Sequence, residues 1–121
     1  RRPPASWRWG RLAQGSVEFK TYCASCHGLT AKGDGPMADQ LKKAPADLTQ
    51  LATKKEGEFP FWDAYNMIDG REALAAHGGR EMPVWGDRYS VALPGESSTM
   101  IEKRVRAQID ALIDYLKSIQ E

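Results

Sequence analysis

A chain of 121 residues allows one domain with a modest core, and a composition 41% hydrophobic and 27% charged excludes wholesale disorder. Seventeen basic against sixteen acidic residues leave a net charge of +1, without the basic excess that a phosphate backbone demands, so nucleic acid is not an expected partner. No apolar run reaches the roughly 20 residues of a membrane-spanning helix, and the opening RRPPASWRWGRLAQG lacks the apolar centre of a signal peptide, as in a mature, trimmed or excised chain.

Residues 1–10 read as an N-terminal arm or linker, because Pro3 and Pro4 oppose helix and the arginines oppose burial, although Trp7 and Trp9 are large enough to fold back. Residues 11–121 then form the single domain. In LAQGSVEFKTYCASCHG, Leu12, Gly15, Phe19 and Tyr22 recur at helical spacing. Gly15 costs about 1 kcal/mol against Ala within a helix, so its place there predicts a close helix crossing. A short helical turn is expected over residues 37–43, closed by Pro45.

Further on, FPFWDAYNMIDG sets Phe61, Tyr65 and Ile68 on one side of a helix that Gly70 ends with a left-handed cap. Residues 71–98 form a long connection, and connections of that length in compact domains usually line a site. The last helix carries Ile101, Val105, Ile109, Leu112, Leu116 and Ile119 as one apolar stripe, with Thr99 and Glu102 as a capping box. No segment alternates long enough to read as a strand. The expected fold class is all-α.

Chemistry concentrates in YCASCHG, residues 22–28, which holds both cysteines and one of the two histidines. A redox dithiol would follow a strand, and none precedes Cys23. A zinc site could draw four ligands from Cys23, Cys26, His27 and His77, but His27 and His77 do not make the second closely spaced pair that such sites use. The third reading uses all three residues: the thiols of Cys23 and Cys26 leave one turn of chain to form thioethers with a haem, and His27 turns its imidazole to the iron.

GSVEFKTYCASCHG, GDGPMA, PADLT, EMPVWG and IDALIDYL together resemble class I c-type cytochromes, from about Gly15 to the C-terminus. The resemblance implies N- and C-terminal helices that cross, with Gly15 and Phe19 meeting Leu112 and Tyr115, and short helices and long loops wrapping one covalent haem c. It also implies that a proline carbonyl, here that of Pro36, accepts the second ring proton of His27. GDGPMA satisfies a loose dinucleotide pattern as well, but no apolar strand precedes it.

A sixth iron ligand is needed, and four methionines compete. Met67 and Met100 fall in predicted helices as core filler, and Met37 is expected against the haem or the core. Met82 differs: Pro83 biases it toward extended backbone that can project the thioether from a loop, and the resemblance points to the same Met-Pro step. His77 is the rival. Arg80, Trp85, Trp62, Tyr65 and Arg71 are candidate propionate donors or pocket walls. Lys42, Lys43, Lys54 and Lys55 either steer an acidic partner or form a solvated face.

With His27 and Met82 on the iron, the expected function is one-electron transfer between protein redox partners, as a carrier rather than an enzyme. Alternatives are a haem c domain or subunit of a larger oxidoreductase or terminal oxidase, and a haem enzyme or gas sensor with a labile sixth ligand. The resemblance places assembly outside the cytoplasm, in a bacterial periplasm.

Overall fold

The computed structural model describes the backbone of residues 5–72 and 80–121, with side chains from residue 10 onward in those ranges. Every regular element among them is helical: α1 (Ala5–Glu18), a π turn (Phe19–Cys23), α2 (Ala24–His27), α3 (Phe61–Asp69), α4 (Trp85–Tyr89) and α5 (Ser98–Ser118). Three 3-10 turns, Ala38–Gln40, Leu48–Gln50 and Thr53–Lys55, punctuate the connection before α3. No helix among the described residues is long and apolar enough to cross a membrane. The chain divides into two compact units, Arg1–Pro60 with Ala111–Glu121, and Phe61–Asp110.

In the first unit α1 starts at Ala5, so the expected arm is helical from that residue on. Past Pro4 nothing in ASWRWG removes an amide or fixes φ, and the helix propagates. Gly15 is buried, and a Cβ there would run into the Ala111 carbonyl oxygen and lie 2.9 Å from Tyr115 Cβ. Phe19, 1% exposed, sets its ring 5.4 Å from that of Tyr115. The close crossing is present, with the Ala111 main chain as the nearest obstacle to the glycine. Positions 111 and 115 lie one turn apart on the same helix face.

The end of the chain ties down the loop before α3. Gln120 accepts from the Ala52 N–H (2.9 Å) and donates to the Leu48 carbonyl (2.7 Å), while the Glu121 N–H donates to the Thr49 carbonyl (2.8 Å). Lys32 Nζ reaches the Glu121 carboxylate at 2.9 Å.

In the second unit α3 buries Tyr65 and Ile68, as its spacing predicts, and stops at Gly70. That glycine has φ +73°, and its N–H donates to the Asn66 carbonyl at 2.9 Å. The connection after it is less irregular than expected, because α4 lies within it. α5 is capped by Ser97, whose Oγ accepts from the Met100 N–H (3.2 Å). The box expected from Thr99 and Glu102 does not form: Ser97 offers the same chemistry two residues earlier, and Glu102 pairs with Arg71 (2.8 Å).

Arg104 clamps the loop between α4 and α5. It donates to Glu96 (2.8 Å), to the Tyr89 carbonyl (2.7 Å) and to the Val91 carbonyl (2.8 Å), and Glu96 also accepts from the Leu93 N–H (2.7 Å). Arg104, and secondarily the Leu93 amide, hold the Glu96 carboxyl below its ordinary 4.5. A depressed folded pKa means that the clamp contributes fully above pH 4.5 and is lost as pH falls through the lowered value. Both acidification and Glu96→Gln at pH 7 are therefore expected to lower the amide protection factors of residues 90–97, taken relative to the unprotected exchange rate at the same pH. Unchanged exchange in the variant at neutral pH would refute the clamp.

Candidate functional site

Cys23, Cys26 and His27 share the π turn and α2. The Ala24 N–H reaches back to the Phe19 carbonyl, so one extra residue is taken up in the turn just before the first thiol. Both cysteines are free and half-buried. Burial pushes the Cys23 thiol up to about 12, with smaller contributions from Glu18 and Cys26. It is a thiol at neutral pH, which does not suit the attacking thiolate of a redox dithiol.

The segment after the motif is bound to it by alternate amides. Gly33, Gly35 and Met37 donate to the carbonyls of His27 (2.8 Å), Cys26 (3.0 Å) and Ser25 (2.8 Å). These acceptors lie in a short helix that has no later turn of its own to satisfy them. Gly28, at φ +87°, makes the reversal that lets the chain return.

His27 Nδ1 lies 3.1 Å from the Ala46 carbonyl oxygen. A carbonyl can only accept, so Nδ1 carries the proton and Nε2 keeps its lone pair. Burial lowers the His27 pKa and so favours the neutral ring, and the Ala46 bond partly opposes that shift. The acceptor is thus Ala46 and not Pro36. Pro36 is exposed, between two residues whose amides are committed to the motif turn.

Ala46 is delivered by a loop held at both ends. The Leu48 N–H donates to the Ala31 carbonyl (2.7 Å), and Asp47 caps the next turn through the Thr49 N–H (3.0 Å) and hydroxyl (2.6 Å). Across from it, a Cβ on Gly33 would stand 2.6 Å from the Pro45 carbonyl. Sequence reading missed Ala46 because a main-chain acceptor has no residue-type signature. The Asp-x-Thr cap beside it was the available signal.

The remaining candidates lie in the second unit. Arg71 pairs with two carboxylates, Nε 2.7 Å from Asp69 and Nη1 2.8 Å from Glu102, which leaves little of its fork for a propionate. Arg80 gives its terminal nitrogens to the carbonyls of Met67, Ile68 (3.4 Å) and Pro83 (2.7 Å), and its buried Nε has no acceptor among the described residues. Met82 is half-buried in the loop before α4. Met37, Met67 and Met100 are all exposed, so none of the three fills a core.

Trp85 is buried and stacks on Tyr89 with ring centroids 6.0 Å apart. Trp62, 58% exposed, meets Tyr65 at 5.5 Å, and the Arg106 guanidinium lies 5.2 Å from both rings. Arg106 is a cation–π partner that sequence periodicity does not reveal. His77 lies outside the described residues.

No group of three or more His, Cys, Asp or Glu among the described residues is arranged to hold a bare metal ion. The donor set of the motif fits a metal that brings its own macrocycle: one neutral imidazole nitrogen, and two thiols on one turn for covalent anchorage. The buried, unpaired Arg80 Nε is in addition a donor suited to a carboxylate.

The sequence model of the family described as cytochrome c oxidase, cbb3-type, subunit III matches residues 10–92. The chain is also similar to the dehydrogenase subunit of alcohol dehydrogenase (quinone) from Gluconacetobacter polyoxogenes and from Komagataeibacter europaeus. Each is 34% identical over 77 residues, which cover 64% of this chain and 9% of the relative's own length. No solved structure matches the chain.

Proposed function

The chain belongs to this family of c-type cytochrome domains, and from that premise we propose that it passes single electrons between protein redox partners through one haem c. The observation that carries the proposal is the His27 Nδ1 bond to the Ala46 carbonyl, which leaves Nε2 free as an iron ligand. When bound, the haem supplies an iron that cycles between ferric and ferrous states.

Cys23 and Cys26 would anchor the macrocycle as thioethers, and His27 would take one ligand place on its iron, oriented by Ala46. Met82 would take the other, on the strength of its Met-Pro step and of being the single methionine that is not exposed. Two side chains on the iron leave no position for a substrate, which supports a carrier over a catalyst. A thioether ligand also favours the ferrous state and raises the potential. Trp85, Trp62 and Tyr65 would wall the ring, with Arg80 Nε available to a propionate.

The relatives are subunits of a dehydrogenase of which this chain matches a small part, and this supports a domain or subunit of a larger oxidoreductase. Lys42, Lys43, Lys54 and Lys55 are exposed and would steer an acidic partner. Such a domain would work outside the cytoplasm, in a bacterial periplasm.

The test is the intact mass under denaturing conditions, which should exceed the polypeptide by one haem; a bare polypeptide mass would overturn the proposal. Met82→Ala should abolish the weak far-red sulfur-to-iron band of the oxidised protein. A retained band would move the ligand to another methionine.

A further inference from the structure

We propose that Arg80 is a positioning residue for the ligand loop: its guanidinium closes residues 80–83 into a ring and bolts that ring to the C-terminal end of α3. The inference rests on the assignment of Met82 as an iron ligand. The main chain of Met82 is part of that ring, so Arg80 would govern how firmly the thioether holds its place.

Nη2 donates to the Pro83 carbonyl, three residues ahead of Arg80 itself, at 2.7 Å. The main chain from 80 to 83 and the side chain returning to 83 thus form a closed ring that includes Met82. The same nitrogen reaches the Ile68 carbonyl at 3.4 Å, and Nη1 reaches the Met67 carbonyl, with the Met67 sulfur 3.3 Å away. Residues 67 and 68 fall in the last turn of α3, where carbonyls lack intrahelical donors and the helix dipole favours a cation.

A second, independent feature is the space made for the guanidinium. A Cβ on Gly70 would lie 2.7 Å from Arg80 Cζ and still closer to Nη2, so the residue that ends α3 also cradles Arg80. Without the clamp the loop would be held by Pro83, which offers no amide, and by the start of α4. Lysine cannot replace this arginine, because one ammonium cannot span acceptors on two elements that a planar fork bridges.

The experiment compares haem-loaded wild type, Arg80→Lys and Met82→Ala, with imidazole as the probe that competes for the sixth position. Arg80→Lys is expected to keep the far-red band and the helical melting temperature, yet to bind imidazole about tenfold more tightly, the equivalent of one charge-assisted hydrogen bond. Arg80→Gln, which keeps two donors on a shorter side chain, should fall on the same side of wild type. Wild-type imidazole affinity in both variants would overturn the clamp, as would a loss of the band that merely tracks global unfolding. Wild-type protein that binds imidazole as readily as Met82→Ala would overturn the ligand assignment, and the clamp with it.

Discussion

Gly35→Ala is expected to destabilise the protein by about 3 kcal/mol and to remove most of its covalently attached haem. A Cβ at this position would collide with the Ser25 carbonyl oxygen and stand 2.6 Å from both the Ala24 oxygen and the Cys26 carbonyl carbon. All three atoms are main chain of the motif turn, so no side-chain rotation relieves the clash. The Gly35 N–H bond to the Cys26 carbonyl (3.0 Å) and its neighbours at Gly33 and Met37 would be pried away together. Melting temperature and haem per polypeptide are the measurements. Gly10→Ala is the control, since no atom of the described residues outside its own helix turn lies within 4 Å of a Cβ there and Ala favours helix. Wild-type stability and haem content in Gly35→Ala would refute the account.

Gly15→Val should act through the other close approach in the first unit. The obstacle is again main chain, the Ala111 carbonyl oxygen, with Tyr115 Cβ 2.9 Å away. A branched side chain must drive α1 off the C-terminal part of α5 and separate the Phe19 and Tyr115 rings. Overpacking on this scale lowers the melting temperature by about 10 °C in a chain of this size. Because the clash is with a carbonyl, Ala111→Gly should not rescue the variant. Rescue by that second substitution would show that the Ala111 methyl, and not the main chain, sets the distance.

The residues that speak for themselves in the sequence are those whose side-chain type carries the chemistry. Cys23, Cys26 and His27 are legible because thiol and imidazole at that spacing have few uses, and Gly70 because a left-handed cap favours glycine. Residues that act through the main chain are silent. Ala46 supplies only a carbonyl, which any of its neighbours also carries, so Pro36 was an equally fair expectation.

Gly33 and Gly35 were visible as a pattern, yet their purpose is space and amide geometry beside the motif, which composition cannot express. Arg71 shows the limit of nearness in sequence: one of its two carboxylates is two residues away, the other, Glu102, thirty-one. Ser97 and Thr99 are chemically equal as caps, and only the path of the preceding loop chooses between them.

The unit that holds both cysteines is made of residues 1–60 and 111–121, so during synthesis its two parts leave the ribosome with all of 61–110 between them. Until residues 111–121 emerge, Gly15 and Phe19 have no helix to cross, and the loop that delivers Ala46 lacks its ties to Gln120 and Glu121. The thermodynamic cost of so long an interruption is small, about 0.6 kcal/mol for each doubling of the loop. Its cost is in time. A chain that emerges N-terminus first shows its two thiols early and closes around them late, which leaves the motif turn open until the C-terminal residues pack onto it.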